Sequence, residues 1–143
     1  MPYRYRDDIA IADAAFEAWG SSLEEMFIAA ADALLNVMVD DPATVRPDQS
    51  LDVRLENGDL EMLLFDFLNE LIFFKDARRL LLRVASIVIT RHNDTYSLRA
   101  TLQGEPVDRL RESLHADIKA VTMYRFKVEE KDGGWKATVI LDI

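Results

Sequence analysis

The sequence has no cysteine and only two histidines, His92 and His115, among its 143 residues. The first absence removes disulfides, thiolate zinc sites and thiol nucleophiles. The second leaves too few imidazoles for a His-rich metal cluster. Glycine-rich phosphate motifs are missing too. Neither GxGxxG nor GxxxxGK[ST] occurs, so a dinucleotide or P-loop site has no support. A Ser/His/acid set needs a histidine in reach of a serine. His92 falls in an expected hairpin turn and His115 in an expected loop, where solvated side chains are the ordinary case. Nothing in these residues reads as an enzyme.

Long apolar runs are lacking as well. The longest, "MLLFDFLNELIFF", is broken by Asp66, Asn69 and Glu70 and falls short of a membrane span. The first residues, MPYRYRDDIAIADAAFE, carry charges where a secretory signal needs an apolar stretch. Together these features predict a cytoplasmic protein with no membrane partner. Positive charge is scarce, with 17 basic residues against 26 acidic ones and a net charge of −9. An acidic surface repels phosphate backbones, so tight, direct nucleic-acid binding is not expected; a basic partner or a metal cation would be attracted.

What is present is a globular composition, 50% hydrophobic and 30% charged, at the usual size of one domain. Residues 1–143 are therefore expected to form a single domain. Ala15 to Trp19 alternates up to Gly20 and predicts a strand. Ser22-Leu23-Glu24-Glu25 has the spacing of a capping box. Leu23, Met26, Phe27, Ala30, Leu34, Val37 and Met38 then recur at helical spacing, one stripe for a core. Asp40-Asp41-Pro42 predicts the stop near Val39. Leu51, Val53 and Leu55 alternate as a half-buried strand, Asn57-Gly58 marks a turn, and Asp59 caps a second helix. Its stripe is Leu60, Leu63, Leu64, Phe67, Leu68, Leu71 and Ile72.

After Asp76 the period changes to that of strands. Leu82 to Thr90 and Tyr96 to Leu102 predict one hairpin, and Ile118 to Glu130 with Trp135 to Ile143 predict another, joined through Lys131-Asp132-Gly133-Gly134. The order of elements predicts an α+β fold, two helices packed on antiparallel β-sheet.

The last strand raises a chemical question. Trp135, Ala137, Val139, Leu141 and Ile143 share one face; Lys136, Thr138, Ile140 and Asp142 share the other. Asp142 thus points away from its apolar neighbours, one residue before a chain-terminal carboxylate. Two negative groups at a strand tip repel unless they are solvated or a positive charge lies between them. Oxygen donors without His or Cys suit Ca²⁺ or Mg²⁺. Further carboxylates are available at Asp13, before the first strand, and Asp40, after the first helix. The other reading is an aspartate that merely ends a strand in solvent.

Taken in order, these segments resemble the archease family. That family runs from an Asp-His-Thr-Ala-Asp stretch into a strand ending in Trp-Gly or a variant; here Ala12-Asp13 precedes Phe16-Glu17-Ala18-Trp19-Gly20. Its Ser/Thr-Leu-Glu-Glu-x-Phe helix start is matched by Ser22-Leu23-Glu24-Glu25-Met26-Phe27, and its Met-x-Asp helix end by Met38-Val39-Asp40. The second helix matches at Asp59-Leu60 and Phe67-Leu68-Asn69-Glu70-Leu71. Gly104-Glu105-Pro106, Lys119-Ala120-Val121-Thr122, Asp132-Gly133-Gly134-Trp135 and Leu141-Asp142-Ile143 follow in register. Where the family has Asp-His-Thr, this chain has Ile9-Ala10-Ile11; Asp7 and Asp8 lie nearby but two residues out of register.

The resemblance implies a function that composition does not. Archeases are small, non-enzymatic cofactors of the GTP-dependent 3′-phosphate RNA ligase of tRNA splicing and RNA repair. They promote guanylylation of the ligase and its repeated turnover. The resemblance also implies a divalent-metal site, with Ca²⁺ expected and Mg²⁺ or Mn²⁺ as alternatives. Its ligands would be Asp13, Asp142 and Ile143, the last through main-chain or terminal oxygen, with Asp40 as a further candidate. The alternative reading is a general chaperone or interaction module whose acidic surface keeps a basic RNA-processing enzyme from aggregating.

Overall fold

The structure, a computed structural model, describes residues 2–8 and 14–143, with the side chains of residues 111–113 outside that description. Among the described residues the chain order is β1 (Tyr3–Tyr5), β2 (Ala14–Gly20), α1 (Leu23–Met38), β3 (Gln49–Asn57), α2 (Leu60–Arg78), β4 (Leu80–His92), β5 (Thr95–Pro106), β6 (Ala120–Lys131) and β7 (Gly134–Asp142). Short 3₁₀ segments at Pro42–Thr44 and Val107–Ser113 fill two of the connections. Every strand pair is antiparallel, and the α+β expectation holds.

The strands divide between two sheets, ordered β1-β2-β7-β6 and β3-β5-β4. The three-residue β1 escapes a reading by alternation because so short a segment has no period to show. Both helices touch both sheets. For α1 this means burial on more than the expected stripe: Ala29, Ala31, Ala33 and Leu35 are buried along with Met26, Phe27, Ala30, Leu34 and Met38. Alanine suits such a helix, since its small side chain lets neighbouring backbones come close on several sides. Phe27 and Phe67 bring the two helices together, with ring centroids 5.9 Å apart. Each fully buried Leu or Phe here contributes on the order of 1.5–3 kcal/mol relative to exposure.

The helix ends follow the sequence signals closely. Ser22 Oγ accepts from Glu25 N at 3.1 Å, and the Glu25 carboxylate reaches back to accept from Ser21 N at 2.7 Å. The reciprocal bond therefore goes to the residue before the cap. Asp59 Oδ1 accepts from Glu61 N at 2.9 Å and Met62 N at 3.4 Å, satisfying two donors that the helix leaves open. Asp59→Ala should lower stability by about 1 kcal/mol. A urea titration that leaves the midpoint unmoved would show that other groups cap α2.

The hairpins are set by their turns. Asp132 and Gly133 both have positive φ, at 53° and 80°, the conformation of a type I′ turn between Lys131 and Gly134. In the other hairpin His92 pairs with Thr95 on the ladder, so the turn is Asn93-Asp94 and His92 lies one residue outside its expected place. β6 is interrupted: its pairing with β7 breaks between Thr122 and Lys127, and Arg125 there has φ 56°. This irregularity leaves Met123 and Tyr124 exposed. It also separates two regular stretches that alternation along the sequence joins into one strand.

Candidate functional site

Most residues that carry the family resemblance have structural work. A Cβ on Gly104 would lie 1.7 Å from the Leu81 carbonyl oxygen, so two strands approach there as only glycine permits. Glu105 is buried and accepts from Arg46 N at 2.5 Å. Asp59 is a cap and Asp132-Gly133 a turn. Asp8 is held by Arg6, which donates to it at 2.8 and 2.6 Å. Asp40 and Asp142 are left over by this account, and they sit at the two attachments of one loop.

Asp40 follows the end of α1 and is exposed. Asn36 Nδ2 donates to Val39 O at 3.1 Å and to Asp40 O at 2.8 Å, which closes the helix end and fixes the backbone around Asp40. A β-bridge joins Val39 to Leu114, and His115 N donates to Met38 O at 2.9 Å. The His115 ring, through Nε2, is hydrogen-bonded to Asp40 Oδ1. His115 is thus in a loop as expected and exposed, but it has a carboxylate partner.

Four residues on, Lys119 N donates to Asp142 O at 2.8 Å. The segment from Leu114 to Lys119 therefore links the Asp40 end of α1 to the tip of β7, over a backbone span of at most about 18 Å. Lys75 holds its middle. Its ammonium donates to Asp117 at 2.5 Å and to Ile118 O at 2.9 Å, and pairs with Asp76 at 2.6 Å. Burial would push the Lys75 ammonium down, but its hydrogen bonds to Asp117 and Asp76 prevail and its pKa is raised. The sequence does carry a signal for this residue. Lys75 continues the spacing of Leu68, Leu71 and Ile72, and a lysine on an apolar stripe must find partners.

On β7, Ala137, Val139 and Leu141 are fully buried, as expected of the inner face, whereas Ile143 is 39% exposed. Ile140, on the outer face, is buried as well, beside its partners Ala15 and Thr122. Asp142 pairs with Ala120 and is half-buried, and among the described residues its carboxylate has no hydrogen bond or ion pair. Thr122 lies diagonally across from Asp142 on the same sheet face. Its hydroxyl is buried and, among the described residues, has no hydrogen-bond partner. Sequence reasoning singled out Thr122 only as part of a matched segment; an orphaned hydroxyl is not legible without the fold.

Asp13 lies outside the described residues, as do Ile9, Ala10 and Ile11. Its neighbour Ala14 opens β2 opposite Leu141, one position before Asp142. The donor chemistry of Asp40, Asp142 and the Thr122 hydroxyl suits a hard cation. Their number alone does not complete a cage, and among the described residues no group of three or more His, Cys, Asp or Glu side chains is placed to hold a metal ion.

Residues 3–143 match the model of the archease protein family (MTH1598/TM1083). The chain is similar to protein archease of Methanopyrus kandleri, at 34% identity over 132 residues, covering 92% of this chain and 94% of that one. It resembles the solution structure of Methanobacterium thermoautotrophicum protein 1598, with a TM-score of 0.83, 33% identity and 99% of each chain covered. A crystal structure from Thermotoga maritima, described as "an archease, possible chaperone", shares the fold at a TM-score of 0.63 and 22% identity, covering 94% of this chain and 93% of that one. Among the described residues, no helix is long and apolar enough to cross a membrane.

Proposed function

The chain belongs to the archease family, and we propose that it works as a non-enzymatic cofactor of a GTP-dependent 3′-phosphate RNA ligase, promoting the ligase's guanylylation and repeated turnover. The observation that supports this most is the unpartnered Asp142 carboxylate beside the orphaned Thr122 hydroxyl, joined through the 114–119 loop to Asp40 and His115. The Asp142 carboxylate and the Thr122 hydroxyl have no partner among the described residues, and the exposed Asp40 carboxylate is hydrogen-bonded to the exposed His115.

Asp13, Asp40, Asp142 and the main-chain oxygen of Ile143 would hold a divalent cation, with Ca²⁺ first by donor type and Mg²⁺ or Mn²⁺ as alternatives. When bound, such a cation neutralises the carboxylates gathered there. The protein's own part is to present these groups on a rigid strand end and a pinned loop. Docked against a partner's active site, they bias that site toward its guanylylation-competent arrangement. This is an effect on populations and requires no chemistry by the small protein.

The test is guanylylation and multiple-turnover ligation by the cognate ligase, with this protein added below stoichiometry. Acceleration is expected; none from correctly folded protein would sink the proposal. The acidic charge of −9 and the chaperone description of the Thermotoga structure favour a second reading, protection of a basic RNA-processing enzyme from aggregation. Under that reading, light scattering of a heated client falls and single carboxylate replacements matter little.

A further inference from the structure

The outer face of the β1-β2-β7-β6 sheet carries a cluster that the ligase reading leaves unused. Glu17 and Trp19 point to this face from β2, and Lys136, opposite Trp19 in the ladder, points there from β7. Glu17 is only 1% exposed, yet three cations converge on it. Arg4 donates at 2.7 Å, Arg6 at 2.9 Å, and the Lys136 ammonium is paired with it. One carboxylate cannot neutralise three cations, and Asp8 accounts for one more charge through Arg6.

Two adjoining cavities share Glu17 and Lys136. One, of about 450 Å³, is walled by Arg4, Trp19, Lys131, the Asp132–Gly134 turn and Trp135. The other, of about 410 Å³, is walled by Arg6, Arg125 and Lys127. Arg4, Arg6, Arg125, Lys127, Lys131 and Lys136 line the two against Glu17 and Asp132, and Asp8 on Arg6 and Glu129, paired with Lys127 and opposite Lys136 in the ladder, complete a local balance that stays positive. On a chain with nine excess negative charges this is a local inversion of sign. Trp19 is 40% exposed and lines the first cavity beside Arg4, Lys131 and Lys136.

We propose that this groove binds a nucleoside phosphate, the base stacking on Trp19 and the phosphate held by Arg4, Lys131 and Lys136. Cations beside an exposed aromatic side chain are the combination that single-stranded nucleic acids and nucleotides use. The volume suits one small ligand. The overall negative charge repels a long polyanion, which favours one nucleotide, free or at an RNA end, over a duplex. The cluster lies about 20 Å along β7 from Asp142, six strand residues away. The inference does not rest on the ligase reading.

Isothermal titration calorimetry of the full chain at low salt tests it, with adenosine 5′-monophosphate, adenosine, inorganic phosphate, a single-stranded RNA octamer and a glutamate-rich peptide as probes. The monophosphate should bind about tenfold more tightly than either adenosine or phosphate, and more weakly as salt rises. Trp19→Ala should weaken it by about tenfold. Lys131→Gln, at an exposed turn-flanking position that touches neither Glu17 nor the core, should weaken it by about threefold. The octamer binding more tightly than the monophosphate identifies an RNA strand as the source; the reverse order identifies a free nucleotide. Equal binding of adenosine, equal binding of the peptide, or no loss in both variants overturns the proposal.

Discussion

Glu17→Gln is expected to destabilise the protein by about 2–4 kcal/mol at neutral pH and to remove most of its sensitivity to acid. Burial on its own would push the Glu17 carboxyl up from 4.5. Hydrogen bonds from Lys136, Arg6 and Arg4 outweigh it and hold the group at about 2. A folded pKa below the unfolded one means that the stabilisation is fully present above about 4.5. It is lost as pH falls from there through about 2. That difference corresponds to about 3 kcal/mol. Glutamine keeps the shape and one acceptor, so the loss is electrostatic and not a cavity. It stays below the upper range for breaking a buried pair because Arg4 is largely in water and can be solvated when its partner goes. Urea titrations between pH 7 and pH 2 check both parts. The wild-type midpoint should fall steeply below pH 4.5, and the variant should start lower and fall less. Some acid dependence remains in the variant, since the Arg6 guanidinium also holds Asp8 at about 2. An unchanged midpoint at pH 7, or parallel curves, would mean that the three cations do not depend on Glu17.

The same residue shows where sequence reading runs out. Phe16-Glu17-Ala18-Trp19 reads as an ordinary alternating strand, and Glu17 as its polar side. Its burial comes from Arg4 and Arg6, thirteen and eleven residues earlier in the chain, and from Lys136 at the far end. Such contacts leave no local period. What is local was legible: both helices with their caps, the Asp132-Gly133 turn, the inner face of β7 and the stop before Pro42 all follow from spacing and turn chemistry over a few residues. The division of the strands into two sheets was not, because pairing partners lie as far apart as Ala14 and Leu141, near the two ends of the chain, and one amphipathic pattern fits either sheet. The break in β6 hides for a related reason. Val121 and Val128 keep the look of one strand although Met123 to Phe126 leave the ladder. At the candidate site Asp142 and Asp40 stood out in the sequence as carboxylates at a strand tip and a helix end, and the family resemblance implied their role as ligands. The linking loop, the Lys75 clamp and the orphaned Thr122 hydroxyl required the fold.

Asp142→Ala should abolish activation of the ligase while leaving the protein folded. The carboxylate is half-buried and, among the described residues, unpartnered, so its removal breaks no bond that holds β7. The ladder contact to Ala120 and the Lys119 N bond to Asp142 O use the main chain and persist. A stability change within about 0.5 kcal/mol is therefore expected. Asp142→Asn separates charge from shape: it keeps the volume and one oxygen, and should fail in activation nearly as completely. Metal binding has its own readout. If Asp142 helps hold a cation, Ca²⁺ raises the wild-type melting temperature by preferential binding to the folded state and does so less in either variant. Three results then have different meanings. Loss of activation together with loss of the Ca²⁺ shift ties the partner's activation to a cation at the strand tip. Loss of activation with the shift intact makes Asp142 a direct contact of the ligase. Full activation by a folded Asp142→Ala protein removes the strand tip from the mechanism, and the distributed negative charge that the chaperone reading needs becomes the better account.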